Sequence, residues 1–458
     1  MLFHNWVFLA FFAIVYPVYL ILKGTRFRSL WLLIASYVFY GWWNPLYLLL
    51  IAYSTAVDYV AVLGMARFGR KRRFVALSVI NNLGLLAFFK YAGFVTQNVN
   101  ALLVRAGLDY AVPAPDVLLP VGISFFVFQS MSYTIDFYRG NVDKEPSFIR
   151  YATFVSLFPQ LVAGPIERAR NLLPQLRETP RVTAQDVTDG LSLFVVGLFK
   201  KLALADYLAV YVDEVYAVPD LYQAPALMLA TFAFAWQIYF DFSGYTDMAR
   251  GVARMMGIRI MLNFNNPYLA TDLGDFWRRW HISLSTWFKD YVYIPLGGNR
   301  KSRLRTYVNM SLTMVISGLW HGAKWTFILW GALHALGRVL TRELERTAFY
   351  RDRVPRCVKQ ALVFTFVCFC WIFFRADSLA DALTIVKRIF TSGLADPRCP
   401  LLMLGLVGSV WLYQFVYESR LRRALEWAPV QVGLVVAMVM YIALCAGSSS
   451  QPFIYFQF

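Results

Sequence analysis

The sequence predicts an all-α, polytopic membrane protein, and two observations carry that expectation. Apolar, largely charge-free runs recur through the chain at the length a bilayer demands, about 20 residues as helix. Residues 1–22, 117–135, 221–240, 306–323, 399–417 and 427–458 are runs of this kind. Charge is also scarce: 16% of the 458 residues are charged while 59% are apolar and 17% aromatic, against about 25% charged in an ordinary soluble chain. A soluble α/β enzyme buries apolar runs too, but not this many at this length. The count is ten to thirteen membrane segments, about 11, with the ambiguity in the middle of the chain.

The first helix is expected over 5–22. It lacks a basic leader and a small-residue cleavage site, so it reads as a retained helix rather than a cleaved signal. The basic loop 23–28 follows, and placing it in the cytoplasm puts the N-terminus outside. The next run turns at Gly41-Trp42-Trp43-Asn44-Pro45, where helix breakers meet interfacial tryptophans. It returns through 46–66 to Arg67, Arg70, Lys71, Arg72 and Arg73, again cytoplasmic, so the two assignments agree. Helices follow near 74–95 and 117–135.

Segment 151–166 is apolar but short and contains Pro159, Gly164 and Pro165. A re-entrant or interfacial piece suits it better than a full span. Run 190–212 is interrupted by Lys200 and Lys201, which are expected to snorkel to an interface or line a cavity. After 221–240, the stretch 241–305 mixes aromatic and charged residues, as helices lying along the cytoplasmic face do. Ordinary spans resume near 306. No repeat, soluble domain or low-complexity linker is evident, so 1–458 reads as a single domain.

Net charge is +17, from 44 Lys and Arg against 27 Asp and Glu. In a soluble protein that excess would suggest nucleic acid. Here the basic residues occupy short loops such as 23–28, 67–73 and 300–305, which is the cytoplasmic bias of a membrane protein. The bilayer and its anionic headgroups are the expected partner, and nucleic acid is not. Cys357, Cys368, Cys370, Cys399 and Cys445 form no metal or disulfide pattern and read as small apolar packing residues.

Four histidines exist: His4, His281, His321 and His334. His321 sits in Ser317-Gly318-Leu319-Trp320-His321-Gly322, between an apolar arm of about 15 residues and one of 13, Trp325 to Gly337. Each arm spans roughly 20 Å against a core of about 30 Å. A His321 turn within the membrane thickness is then a functional candidate, because an ionisable group there is expensive to keep. The alternative is one continuous kinked helix with His321 hydrogen-bonded in the bundle. His281 lies in Phe276-Trp277-Arg278-Arg279-Trp280-His281-Ile282-Ser283-Leu284-Ser285. On one helix Trp277, Trp280, His281 and Leu284 would share a face, with Arg278 and Ser285 on another flank. An interfacial helix with headgroup-binding arginines explains much of that pattern but does not ask for a histidine.

Gln237, Asp241, Ser243, Tyr245 and Asp247 close an apolar run with a polar cluster, either a cavity wall or a helix cap with a surface turn. Gly297-Gly298-Asn299-Arg300 lacks the Lys-Ser/Thr of a phosphate cradle and reads as a turn. A metal held by His281 and His321 lacks carboxylate or thiolate partners at ligand spacing. No Gly-x-Ser-x-Gly elbow marks a serine hydrolase.

Together, the Phe276–Ser285 and Leu319–Gly322 motifs make the chain resemble the membrane-bound O-acyltransferase family, in its bacterial alginate O-acetylation branch. The likeness extends through Ser36-Tyr37-Val38-Phe39-Tyr40, Pro120-Val121-Gly122-Ile123-Ser124-Phe125, Leu161-Val162-Ala163-Gly164-Pro165, Tyr239-Phe240-Asp241-Phe242-Ser243-Gly244-Tyr245 and Trp371-Ile372-Phe373-Phe374-Arg375-Ala376. The resemblance implies a ring of helices with re-entrant pieces around a central tunnel. It makes His321 the essential histidine and His281 the second active-site position. It implies no bound cofactor, but a thioester donor on the cytoplasmic side, acetyl-CoA or an acyl-carrier thioester. The acetyl group is then passed across the bacterial inner membrane, often to a periplasmic acetyltransferase partner that modifies a polysaccharide acceptor.

The residues suit that chemistry. A base near neutral pKa activates a hydroxyl, which fits His321. Arg278, Arg279, Arg300, Lys301 and Arg303 are candidates for donor phosphates, and His281 or Trp280 for the donor to the tetrahedral oxyanion. Trp280, Arg278, Arg279, Asp241 and Ser285 are the substrate-binding candidates. The acceptor is open among alginate, cellulose, peptidoglycan and, with D-alanine, teichoic acid. A transporter, which broken helices also suit, and a non-catalytic assembly subunit are the competing classes.

Overall fold

The computed structural model describes residues 1–69, 71–115, 119–395, 401–425, 427–445 and 453–454, and every regular element among them is helical. They group into two compact units, 1–191 with 249–261 and 192–248 with 262–458. Among the described residues, four helices are long and apolar enough to cross a membrane by length and composition: Tyr47–Phe68, Lys71–Arg105, Ala224–Met255 and Arg356–Arg375. Trp6–Leu22 and Ala428–Leu444 are apolar but shorter. The chain is a multi-pass membrane protein. Arg70, Cys399 and parts of the runs at 117–135, 399–417 and 427–458 lie outside the described residues.

The first unit carries α1 (Trp6–Leu22), α2 (Arg28–Gly41), α3 (Tyr47–Phe68), α4 (Lys71–Arg105), α5 (Ile123–Arg139), α6 (Phe148–Ser156) and α7 (Ala169–Arg177). The turn expected at 41–45 separates α2 from α3, and α4 runs longer than its apolar run suggested. Asp58 of α3 is fully buried, and its two oxygens accept from Ser78 Oγ (2.5 Å), Asn82 Nδ2 (3.0 and 2.9 Å) and Ser130 Oγ. A buried carboxylate supplied with this many donors ties α3, α4 and α5 together. Segment 151–166 forms no single helix of spanning length. α6 ends at Ser156, a single turn follows at Phe158–Leu161, and every residue from 151 to 166 is buried in protein.

α8 (Ala184–Phe199), which belongs to the second unit from Ser192 onward, gives way at Lys200–Ala205 to a π-helical turn that leads into α9 (Asp206–Ala217). Lys200 and Lys201 do not snorkel. Lys201 bridges Asp206 and Asp241 at 2.8 Å each, and Lys200 reaches Asp247 at 2.7 Å. The helices can meet this closely because two glycines face each other: a β-carbon on Gly197 would lie 2.5 Å from the Gly244 carbonyl oxygen. The π turn adds a residue to the helical turn, and its two consecutive lysines both reach carboxylates of α10 (Ala224–Met255). Gln237, Asp241, Ser243, Tyr245 and Asp247 therefore cap nothing. All five are buried along an unbroken helix that continues to Met255.

The same unit holds α11 (Leu273–Arg279), α12 (Ile282–Phe288), α13 (Arg303–His321), α14 (Trp325–Leu344), α15 (Arg356–Arg375), α16 (Leu379–Thr391), α17 (Leu401–Glu418) and α18 (Ala428–Cys445). α13 and α14 form a hairpin that turns at 322–324, so the continuous kinked helix does not occur. Both are longer than the apolar arms read from the sequence, at 19 and 20 residues. Each continues through a polar stretch, Arg303–Arg305 in one and Arg338–Arg342 in the other. Cys370 is buried as a packing residue, whereas Cys357 is exposed.

Candidate active site

Two short helices present the first histidine. Asp272 caps α11, its carboxylate accepting from the backbone N–H groups of Gly274 (2.6 Å) and Asp275 (3.0 Å). The single helix expected through Trp277, Trp280, His281 and Leu284 does not form. The chain breaks at Trp280, and His281 adopts the left-handed region (φ 42°, ψ 56°) before α12 begins. A non-glycine residue there is strained and persists only where its surroundings hold it. Ser285 does part of this: its Oγ donates to the Trp280 carbonyl (3.0 Å) and its N–H to the His281 carbonyl (2.9 Å). The Ile282 N–H donates to the Asn263 carbonyl (2.9 Å), which pins the other side of the break.

The break sends the two side chains to different neighbours. Trp280 joins an aromatic stack with Phe276, Phe264 and Trp371, ring centres 5.6, 5.0 and 5.1 Å away. His281 is fully buried, with Nδ1 3.1 Å from Asn263 Oδ1. That oxygen also accepts from Ser283 Oγ (2.9 Å) and the Ser283 N–H (3.2 Å). Phe242 of α10 meets the imidazole edge to face at 4.6 Å. Burial alone pushes the His281 pKa down from 6.5 to about 3.

His321 is the last residue of α13 and is 4% exposed. Gly322 lets the chain leave the helix beneath Phe327, where a β-carbon would lie 2.1 Å from that ring. Trp320, Trp330 and Phe374 surround the imidazole at 5.0, 5.1 and 5.3 Å. Trp320 also meets His281 at 6.2 Å, so one indole touches both histidines. His334 of α14 is buried against Trp330 (4.7 Å) and Trp277 (5.1 Å), and Trp330 is thereby shared between His321 and His334.

The structure treats the other sequence candidates unequally. Asp241 has both carboxylate oxygens engaged, one by Lys201 (2.8 Å) and one by the Ile454 N–H (2.6 Å). Phe453 beside it packs on Phe242 (5.7 Å) and Tyr245 (5.0 Å), joining the chain's C-terminal residues to the ring that touches His281. Arg279 is tied to Asp275 (2.9 Å) and Glu418 (2.8 Å), while Arg278 projects outward near Asp272 and Asp275 at 3.7 and 3.5 Å. Arg303 pairs with Glu343. Gly297 and Gly298, at φ 112° and 55°, form the expected turn. Asn263, Trp330 and Phe453 were not singled out from sequence, and Ser283, Phe242 and Phe374 entered only as motif residues with no role. The run Asn263-Phe264-Asn265-Asn266-Pro267 offers only a turn signal, and the aromatic residues look like core.

The two buried imidazoles share an indole inside an aromatic shell, in surroundings of low dielectric where electrostatic effects are strong. The sequence profile described as MBOAT, membrane-bound O-acyltransferase family, matches residues 123–379, which includes both histidines. The chain is 42% identical over 397 residues to the probable alginate O-acetylase AlgI of Pseudomonas aeruginosa, covering 86% of this chain and 75% of that one. It is 37% identical to the protein of the same description from Pseudomonas putida over the full length of both. It is 36% identical to the peptidoglycan O-acetyltransferase of Helicobacter pylori over 80% of this chain and 74% of that one.

Proposed function

We propose that this chain, which belongs to the membrane-bound O-acyltransferase family, moves an acetyl group from a cytoplasmic thioester across the bacterial inner membrane for O-acetylation of an alginate-type exopolysaccharide. Family membership makes it a membrane acyltransferase. The observation that carries the finer reading is the meeting of His281 and His321 on the Trp320 indole, both buried, from motifs 40 residues apart in sequence. The acceptor reading rests on the alginate O-acetylase relatives, which align over most of this chain. The alignment with the Pseudomonas putida relative over the full length of both chains supports reading 1–458 as one functional domain.

In this reading His321 takes the proton of the acceptor hydroxyl as its oxygen attacks the thioester carbonyl carbon. The tetrahedral intermediate collapses with loss of the C–S bond, the thiolate leaves, and the proton returns to it from His321. Ester and free thiol are the products. Acetyl-CoA is the favoured donor, with an acyl-carrier thioester as the alternative. A periplasmic acetyltransferase receives the group where the glycan is not the direct acceptor. Peptidoglycan is the second reading, supported by the Helicobacter relative.

The test is a His321→Ala variant of the full chain, in membranes supplied with acetyl-labelled CoA, with label followed into exopolysaccharide and into peptidoglycan. The variant is expected to accumulate and purify like the parent and to transfer no label. Undiminished transfer would refute the role of His321, and label in peptidoglycan alone would replace the acceptor.

A further inference from the structure

Asn263 Oδ1 receives three approaches: the Ser283 N–H at 3.2 Å, Ser283 Oγ at 2.9 Å and His281 Nδ1 at 3.1 Å. A backbone N–H can only donate, so the atom facing it must be the amide oxygen rather than the amide nitrogen. The orientation of the Asn263 amide is thereby settled by the main chain. An amide oxygen can only accept, and Ser283 Oγ, 3.4 Å from Nδ1, directs its single proton at that same oxygen, which leaves His281 Nδ1 to carry the proton between them. In a neutral imidazole the other nitrogen then holds the lone pair.

We infer that Asn263 is a positioning residue that fixes His281 as its Nδ1–H tautomer, so that Nε2 is a hydrogen-bond acceptor. The inference rests on the site reading above and sharpens it. A neutral His281 of this tautomer cannot donate from Nε2 to a tetrahedral oxyanion. Its role in the reaction is to accept from, and so orient, a hydroxyl, which leaves full proton abstraction to His321. The assembly is the one by which second partners orient the ring of a functional histidine elsewhere.

The surroundings keep the ring neutral. The elements packed on it are α10 through Phe242, the loop before α11 through Asn263 and Phe264, α12 through Ser283, and α13 through Trp320. The ionisable groups nearest along those elements are Asp241, held by Lys201, Arg279, held by Asp275 and Glu418, and His321 itself. Burial of the ring lowers the His281 pKa, which favours the neutral form.

With four histidines in the chain, ¹⁵N-histidine labelling of the full protein in lipid vesicles gives a spectrum in which His281 is assigned by its loss in His281→Asn. The parent should show a proton on Nδ1 and a bare Nε2. Asn263→Leu should scramble that tautomer and lower the transfer rate roughly tenfold or more at unchanged donor KM, as misplacement of a reacting group does. Asn263→Asp, which keeps the oxygen and the shape, should retain the tautomer, raise the titration midpoint of His281 and move the acid limb of the rate profile to higher pH. This second variant keeps the test open where the leucine variant fails to fold. A parent His281 protonated on Nε2, or a tautomer and titration unmoved by either variant, would overturn the inference. A tautomer that changes as expected while transfer is unaffected sustains the positioning role and counts instead against the place of His281 in the reaction.

Discussion

Gly318 and Phe327 meet backbone to backbone across the α13–α14 hairpin: a β-carbon on Gly318 would stand 2.2 Å from the Phe327 carbonyl oxygen. Gly331 repeats the relationship in the other direction, with its β-carbon position 2.5 Å from the Met314 carbonyl oxygen. Small residues at a helix interface let backbones approach in this way, and in a bilayer such contacts replace the missing hydrophobic drive between helices. The hairpin is therefore pinned one turn from His321.

Gly318→Ala follows directly. The obstructing atom is main chain and cannot swing aside, so the helices must separate. Overpacking of this kind costs about 1–3 kcal/mol. Thermal unfolding in detergent should show a lower midpoint than the parent, with transfer activity lost more steeply than folded protein because His321 moves with the hairpin. An unchanged midpoint would show that the hairpin relaxes without strain.

The apolar runs, the turn at 41–45, the shortness of 151–166 and the two histidine motifs could all be read from local pattern, because each depends on residues close together in the chain. The break at His281 could not. Its left-handed backbone is held by Asn263, 18 residues earlier, and a sequence window around Trp280 sees only a helical face. The pairing of Lys200 and Lys201 was hidden for the same reason. Their partners Asp241 and Asp247 lie a helix away, so the sequence offered only lone charges in an apolar run. Asp241 was legible as part of a polar cluster, either a cavity wall or a helix cap, but not as a carboxylate whose oxygens are both taken.

Burial of His281 makes a pH prediction with a definite sign. Its folded pKa is about 3 against an ordinary 6.5, so between those values the unfolded chain binds a proton that the folded chain does not. Stability attributable to this group is intact above pH 6.5 and declines as pH falls toward 3, by about 2 kcal/mol at pH 5. Carboxylates add their own acid sensitivity, so the comparison is between the parent and His281→Asn, each measured from pH 7.5 to 5. The parent should lose more stability than the variant over that interval. Parallel curves would mean that His281 accepts its proton without penalty in the folded state.

The C-terminal contact extends the site beyond its motifs. Phe453 is buried and lies against Phe242 and Tyr245, while the neighbouring Ile454 N–H holds Asp241. Phe242 in turn presses on His281 at 4.6 Å. Truncating a buried phenylalanine costs about 3–5 kcal/mol where the cavity does not collapse. If Phe242 relaxes into the space left by Phe453, the cavity term shrinks but His281 loses its edge-to-face neighbour. Phe453→Ala is thus expected to lower either the unfolding midpoint or the transfer rate strongly, and Phe453→Leu, which keeps most of the volume, to restore much of both. Ile454→Pro removes the N–H that Asp241 accepts while leaving the aromatic contacts in place, and should lower stability with a smaller effect on rate. Transfer and midpoint both unchanged in Phe453→Ala would show that Phe242 holds His281 without help from the C-terminal residues.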